Sequence, residues 1–335
     1  MPLQDNSYIL TRVNILAGRL IPLQDWGRVI ETDLDTLQKK HLCNSENPAS
    51  SEIEKQLIDR ALADFQLLFR PFSGLEREML NYAIHWYELF NLKTLIRGKF
   101  SGRRETEIER ELVDLGPFAL LPLHTLLDTD DPYEMLRLLE QTPYSTIVRQ
   151  ARSIFEEEGQ NLFALDAAID RHFFSGLKQR LRYLSAEDQQ PLMTVYGTMM
   201  DRLNLLWLIR YRFSYQLSPA KSYYLLAPTG KRLHSGKLMH LARMETLQEV
   251  IEALPASLKQ LLSQAESLTQ IENLMEHYTL QAIDKILKST QSGITRVFCY
   301  LLLRESEVRL LQAIIKGKAL EFDEALIRQA VGVNH

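Results

Sequence analysis

Apolar residues along this chain recur at helical spacing, and one such pattern is written three times, about a third of the chain apart. It reads Glu88-Leu-Phe-Asn-Leu-Lys-Thr-Leu-Ile-Arg-Gly-Lys99. It returns as Asp201-Arg-Leu-Asn-Leu-Leu-Trp-Leu-Ile-Arg-Tyr-Arg212 and as Glu307-Val-Arg-Leu-Leu-Gln-Ala-Ile-Ile-Lys-Gly-Lys318. An acid opens each copy (Glu88, Asp201, Glu307) and a base closes it (Lys99, Arg212, Lys318). The fifth, eighth, ninth and twelfth places stand at i, i+3, i+4 and i+7, so Leu92, Leu95 and Ile96 share one helix face with the Lys99 stem along it. Self-similarity at a fixed period marks one supersecondary unit used repeatedly.

The repeat extends upstream. Leu165-Asp166 and Ile271-Glu272 stand at the same distance before the second and third acids, each with a ring six residues on, His172 and Tyr278. In the first copy the same signature reads Ile58-Asp59 with Phe65, nearer to Glu88, which predicts a connecting loop shorter by about six residues. Further upstream, Gly236-Lys-Leu-Met leads to Glu245 and Pro255. Tyr133 to Pro143 matches it at an offset of about 112, and Gly27-Arg-Val-Ile matches it more loosely. Each unit therefore reads as a short-helix segment followed by two longer helices. The units are expected at residues 1–105, 106–222 and 223–335.

Helix formers dominate, and no run of alternating β-branched residues reads as a strand, so the fold class is all-α. Gly98-Lys99 and Gly317-Lys318 fit helix endings, where glycine accepts the left-handed conformation and a base suits the dipole. Tyr211 replaces that glycine in the second copy, so this helix is expected to run on through Phe213 and Ser214. Helix starts read at Asp131-Pro132 and at Ser185-Ala-Glu, and Ser45 to Ser51 reads as a loop.

At 335 residues the chain exceeds what one core usually serves, roughly 250–300 residues, and three lobes resolve that. The net charge of −4 argues against nucleic acid as a partner. No stretch approaches the roughly 18 apolar residues of a membrane span, and no secretory signal opens the chain. Cys43 and Cys299 are too few for a disulfide framework and suit a reducing compartment.

Candidate chemistry is sparse. Asp130-Asp131-Pro-Tyr-Glu134 spells the acid arrangement that holds Mg²⁺ on a pyrophosphate, but no second acid cluster with that spacing accompanies it. Pro132 marks a first turn, which makes Asp131 an N-cap and Glu134 a dipole acid. Pro228-Thr-Gly-Lys-Arg232 lacks the leading glycine and the final Ser or Thr of a phosphate loop, with Leu225 and Arg232 in those places. The histidines show no metal-ligand spacing, and neither a Gly-x-Ser-x-Gly elbow nor a Cys-x-x-Cys pair occurs. No catalytic, cofactor or metal site is expected. The repeated acids read as structural ion pairs or caps, because an ion relay in a bilayer needs a spanning helix. The residues singled out are those of the repeat signature: Glu88, Asn91, Arg97, Lys99, Asp201, Asn204, Arg210, Arg212, Glu307, Lys316 and Lys318.

Tyr8-Ile-Leu-Thr-Arg-Val-Asn-Ile-Leu-Ala-Gly-Arg-Leu20, Asn91 to Lys99 and Glu307 to Lys318 resemble the C-type rotor protein of the V-type and archaeal-type rotary ATPases, whose counterpart in vacuolar pumps is the d component. Tyr211 and Leu310, in place of glycine and asparagine, depart from the other copies. The resemblance implies a funnel-shaped body of three pseudo-threefold-related helical lobes without catalytic residues. It implies a peripheral place on the cytoplasmic face of the membrane, between the proteolipid ring and central-stalk subunits of the D and F type. It also implies a role in transmitting torque for ATP-coupled H⁺ or Na⁺ transport. Two alternatives remain from the residues themselves: a stand-alone helical scaffold, and a Mg²⁺-dependent pyrophosphate enzyme.

Overall fold

A series of short helices leads into a pair of long ones, and the order is met three times. The computed structural model describes residues 3–41, 50–157, 162–228 and 230–333, and among them there is no β-strand. First come α1 (Leu3–Ala17), α2 (Trp26–Glu31) and α3 (Leu34–His41). They precede α4 (Ser50–Phe69) and a second long helix interrupted at His85, α5 (Gly74–Ile84) and α6 (Trp86–Phe100). Then α7 (Glu105–Glu109), α8 (Leu123–Leu127), α9 (Pro132–Leu139) and α10 (Ser145–Glu157) precede α11 (Leu162–Arg182) and α12 (Ala186–Ile209). Last, α13 (Pro219–Tyr224), α14 (Ser235–Ala242), α15 (Leu247–Glu252) and α16 (Ala256–Leu262) precede α17 (Leu268–Ser289) and α18 (Gly293–Ala319). A final helix, α19 (Glu324–Val331), follows.

The expected helix starts are present. Asp131 accepts a hydrogen bond from the Tyr133 N–H at 2.9 Å with Pro132 at the first helical position, and Ser185 caps α12 through the Asp188 N–H. Of the stretch expected as a loop, residues 45–49 lie outside the described residues, whereas α4 begins at Ser50.

The long helices pack in a cycle. The α5 and α6 segments lie against α11, α12 lies against α17, and α18 lies against α4. Leu92, Leu205 and Leu311 are buried, as are Leu95-Ile96, Leu208-Ile209 and Ile314-Ile315. Each such side chain contributes about 1.5–3 kcal/mol by leaving water. The buried apolar residues form two clusters. One joins α1–α11 to α18, and the other joins the C-terminal part of α12 to α14–α17.

Two expectations are corrected. Gly98 and Gly317 do not end their helices, which run on to Phe100 and Ala319. Both glycines sit where a neighbouring isoleucine presses on the helix. A Cβ on Gly98 would stand 2.6 Å from Ile108 of α7, and one on Gly317 would stand 2.9 Å from Ile327 of α19. The left-handed residue that closes each helix comes later, at Gly102 (φ 63°), Gln216 (φ 53°) and Glu321 (φ 55°). In all three, the next N–H (Arg103, Leu217, Phe322) returns to the carbonyl at the eleventh place of the phrase, Gly98, Tyr211 or Gly317. The helix through Tyr211 does continue to Ser214, as a π turn over Arg210–Ser214, and that one extra residue sets its closing position one later.

The second correction concerns the first unit's connecting loop, which is not shortened. Residues 70–73 separate α4 from α5, against 183–185 and 290–292 in the other pairs. Counting back equally from the acids, the place of Asp166 and Glu272 falls to Ile53, which is buried, while Asp59 is exposed.

Candidate functional site

The acid of each phrase is buried, at 1% exposure for Glu88, 2% for Asp201 and 4% for Glu307. A buried carboxylate needs donors, and each of the three receives at least one backbone N–H from a distant loop. Glu88 accepts from the N–H groups of Leu120 and Leu121 and from the Tyr144 hydroxyl. Asp201 accepts from Arg232 at 2.9 Å and from Leu233 at 2.8 Å. Glu307 accepts from Ile21 at 2.7 Å and from the Arg304 guanidinium. In each case the donor loop follows the first short helix of the next set (α7, α13 or α1), so Glu307 finds its loop near the start of the chain. Two of the loops are alike in sequence, Leu20-Ile21-Pro22 and Leu120-Leu121-Pro122, and the third, Arg232-Leu233-His234, keeps only the central aliphatic residue. This places Ile21 opposite Leu233, so the looser match at Gly27 is out by three residues, about one helical turn.

These acids are neither helix caps nor, at Glu88 and Asp201, ion pairs. Burial raises the Glu88 pKa, with the Tyr144 hydroxyl and the two N–H groups pulling it back. Burial likewise raises that of Asp201 against the Leu233 and Arg232 N–H groups. The phosphate-loop look-alike thus does cradle an anion, one belonging to the protein itself. The Lys231 N–H bonds to the Gly197 carbonyl, and Gly230 approaches α12 so closely that a Cβ would stand 2.3 Å from Asp201.

Asn91 exchanges two hydrogen bonds of 2.7 Å with the Val113 backbone, and Asn204 clasps Ala227 in the same way. Leu310 removes this clasp from the third copy. At the tenth place Arg97 pairs with Asp166, and Arg210 pairs with Glu272 at 2.8 Å. Burial raises the Asp166 pKa against the pull of Arg97. Lys316 is exposed and has no ion pair among the described residues, consistent with Ile53 standing where an acid stands in the other units. The closing bases hold carbonyl oxygens: Lys99 those of Leu127 and Thr129, and Arg212 those of Leu217 and Met244. Lys318 is half-buried and makes no such bond among the described residues. Sequence reasoning missed Tyr144 and the donor loops, although the twin Leu-(Ile/Leu)-Pro stretches were the signal.

The long helices also enclose a cavity of about 130 Å³. Its floor is apolar (Phe173, Leu280, Phe298), and its polar wall holds Arg202, Glu276, Glu305 and Arg309. Arg309 pairs with Glu276, and Arg202 lies 3.9 Å from the same carboxylate. Glu305 is half-buried in this wall, whereas half of the Arg309 side chain is open to solvent. Burial pushes Glu305 up to about 7, opposed by Arg202 and the Trp86 side chain. Burial together with Arg202 pushes Arg309 down to about 10. Among the described residues no three His, Cys, Asp or Glu side chains group as metal ligands, and Asp131 serves as a cap. No helix among them is long and apolar enough to cross a membrane.

The comparisons with known proteins fit this architecture. The chain is 25% identical to the C subunit of the A-type ATP synthase of Methanothermobacter thermautotrophicus, over 96% of this chain and 86% of the relative. It is 21% identical to that of Methanosarcina barkeri, over 97% and 92%. With that of Halorubrum lacusprofundi it shares 29% identity over 69% and 67%. The sequence profile of the family described as ATP synthase (C/AC39) subunit matches residues 11–330, and with nearly its whole length matched the chain belongs to that family.

Proposed function

We propose that this chain is the non-catalytic rotor adaptor of a V/A-type ATPase. It would link the proteolipid ring to central-stalk subunits of the D and F type and carry torque for H⁺ or Na⁺ transport. The observation that carries the reading is the cyclic order of the anchors. With residues 1–105, 106–222 and 223–335 taken as three lobes, each lobe's acid grips the loop after the first short helix of the next. A closed cycle of packed helices resists twisting, because deforming it must break buried carboxylate bonds together with apolar contacts. A pseudo-threefold body of this kind suits a junction between a many-fold ring and an asymmetric axle. The mixed-charge wall of the cavity, where Arg202 and Arg309 stand beside Glu276, would offer a stalk subunit a charged contact. The chain would sit on the cytoplasmic face, peripheral to the membrane; among the described residues no helix is long and apolar enough to cross one.

The test is affinity purification of the tagged protein from gently solubilised membranes of its host, followed by mass spectrometry. Recovery of the proteolipid together with stalk subunits supports the adaptor. Recovery of catalytic-head subunits without ring or stalk, or of a soluble partner alone, rules it out.

A further inference from the structure

From Arg202 to Met244 the chain has no aspartate or glutamate but eight arginines and lysines, in a protein whose net charge is −4. Several of these cations are internally engaged. Arg210 pairs with Glu272, Arg212 holds two carbonyls, and the Lys237 amino group bonds to the Ala253 carbonyl at 3.0 Å. Arg243 is exposed and has no partner among the described residues. It stands on a groove of about 640 Å³ between α11 and the α13–α14 pair, with Arg171, Tyr223, Tyr224, Leu226 and Met239 among the other walls.

Arg171 is held in place there. It donates to the Tyr224 carbonyl at 2.7 Å, and its guanidinium lies 4.8 Å from the centre of the Tyr224 ring. The neighbouring acid, Asp170, is occupied by Lys93 of α6 at 2.6 Å and does not neutralise it. Tyr224 is 57% exposed and Met239 43%, and no carboxylate lines the groove.

We propose that this groove receives an acidic segment of another subunit of the ATP synthase complex. A carboxylate of that segment lies between Arg171 and Arg243, and a neighbouring apolar side chain lies against Leu226 and Met239. The composition favours a protein over a lipid surface. Tyrosine, methionine and arginine with no lysine or acid is the make-up of interface cores, and methionine adapts to varied partners. A headgroup surface recruits clusters of four to eight Lys and Arg, roughly, whereas two arginines line this cleft. The proposal needs membership of the complex and is independent of the ring-to-stalk placement.

The experiment replaces Met239 with photoreactive p-benzoylphenylalanine in the full chain, purifies the assembled complex, irradiates it and maps adducts by mass spectrometry. The expected adduct lies on another subunit, at a peptide where Asp or Glu adjoins an apolar residue. Adding Arg243→Glu should lower its yield at least about tenfold, the scale of a lost charge contact, and Arg171→Gln should lower it as well. Because Arg243 is exposed and unpartnered, an unchanged Tm certifies the fold of that variant. Adducts on lipid, adducts on an acid-free peptide, no protein adduct, or a yield indifferent to Arg243→Glu would each overturn the proposal. Failure of the adaptor reading shows separately, as absence of ring or stalk subunits from the purified complex.

Discussion

Glu88 and Glu307 do the same work at two joints of the cycle, with different chemistry. At the joint between the first two units, Glu88 is satisfied by two backbone N–H groups and a tyrosine hydroxyl, with no cation bonded to it. At the joint between the last unit and the first, Glu307 has a single N–H and the guanidinium of Arg304, which also lies 3.6 Å from Asp64. The difference follows the chain. Leu120 and Leu121 lie some thirty residues beyond Glu88 and are delivered by a short connection, whereas Ile21 is 286 residues from Glu307. Loop closure costs more entropy over a longer span, though only logarithmically. The closing joint lacks the asparagine clasp and instead carries a charge network with α4. Neutral donors hold an acid through fixed geometry, while a cation holds it through an interaction that tolerates small displacement.

The comparison breaks if removing the two acids has equal effect. Glu88→Ala orphans the N–H groups of Leu120 and Leu121 and the Tyr144 hydroxyl. At roughly 1–3 kcal/mol for each unsatisfied donor, a loss of about 4 kcal/mol is expected from denaturant midpoints. Glu307→Ala should cost about 2 kcal/mol in the same measurement, since one N–H is orphaned and Arg304 retains Asp64. A larger loss at Glu307 than at Glu88 would reverse the reading of the two joints.

The helix ends sharpen it further. Gly102 and Glu321 occupy the same left-handed position in the first and third units. Gly102→Ala should therefore lower stability by about 1 kcal/mol and Glu321→Gly raise it by up to about 1 kcal/mol, read as opposite shifts in Tm. If both substitutions move Tm the same way, the two ends are not equivalent.

The last test is in pH. Glu305 ordinarily titrates at 4.5 and is pushed up to about 7 by burial, so the folded state holds its proton more tightly than the unfolded chain. Its stabilising contribution is fully present below the unfolded value and is lost as pH rises through the folded one. Wild type should therefore lose stability relative to Glu305→Gln between about pH 4.5 and 7, and hold a constant difference above that. A Tm difference flat across this window would remove Glu305 from the set of desolvated groups on the cavity wall.

Much of this organisation is legible in the residues. The helical period of Leu92, Leu95 and Ile96 and its return near residues 205 and 311 mark the buried face, because burial of one stripe demands that spacing. Asp131-Pro132 and Ser185 announce their helices, because local capping chemistry needs only neighbours in sequence. The offset of about 112 between the second and third short-helix segments is also correct, since Leu121 and Leu233 meet equivalent acids.

What escapes the residues is whatever depends on a distant partner. Gly98 reads as a helix end until Ile108 is seen pressing against it, and Asp59 reads as the equivalent of Asp166 until the loop lengths place Ile53 there. The sequence by itself determined an all-helical chain with a thrice-used buried stripe and an acid one turn before it, for these rest on local period and composition. Only the tertiary structure decided that each acid reaches forward to the next unit and that the last reaches back to Ile21. The physical reason is that a carboxylate carries no mark of its donor. Which N–H it receives is set by the packing of helices far apart in the chain.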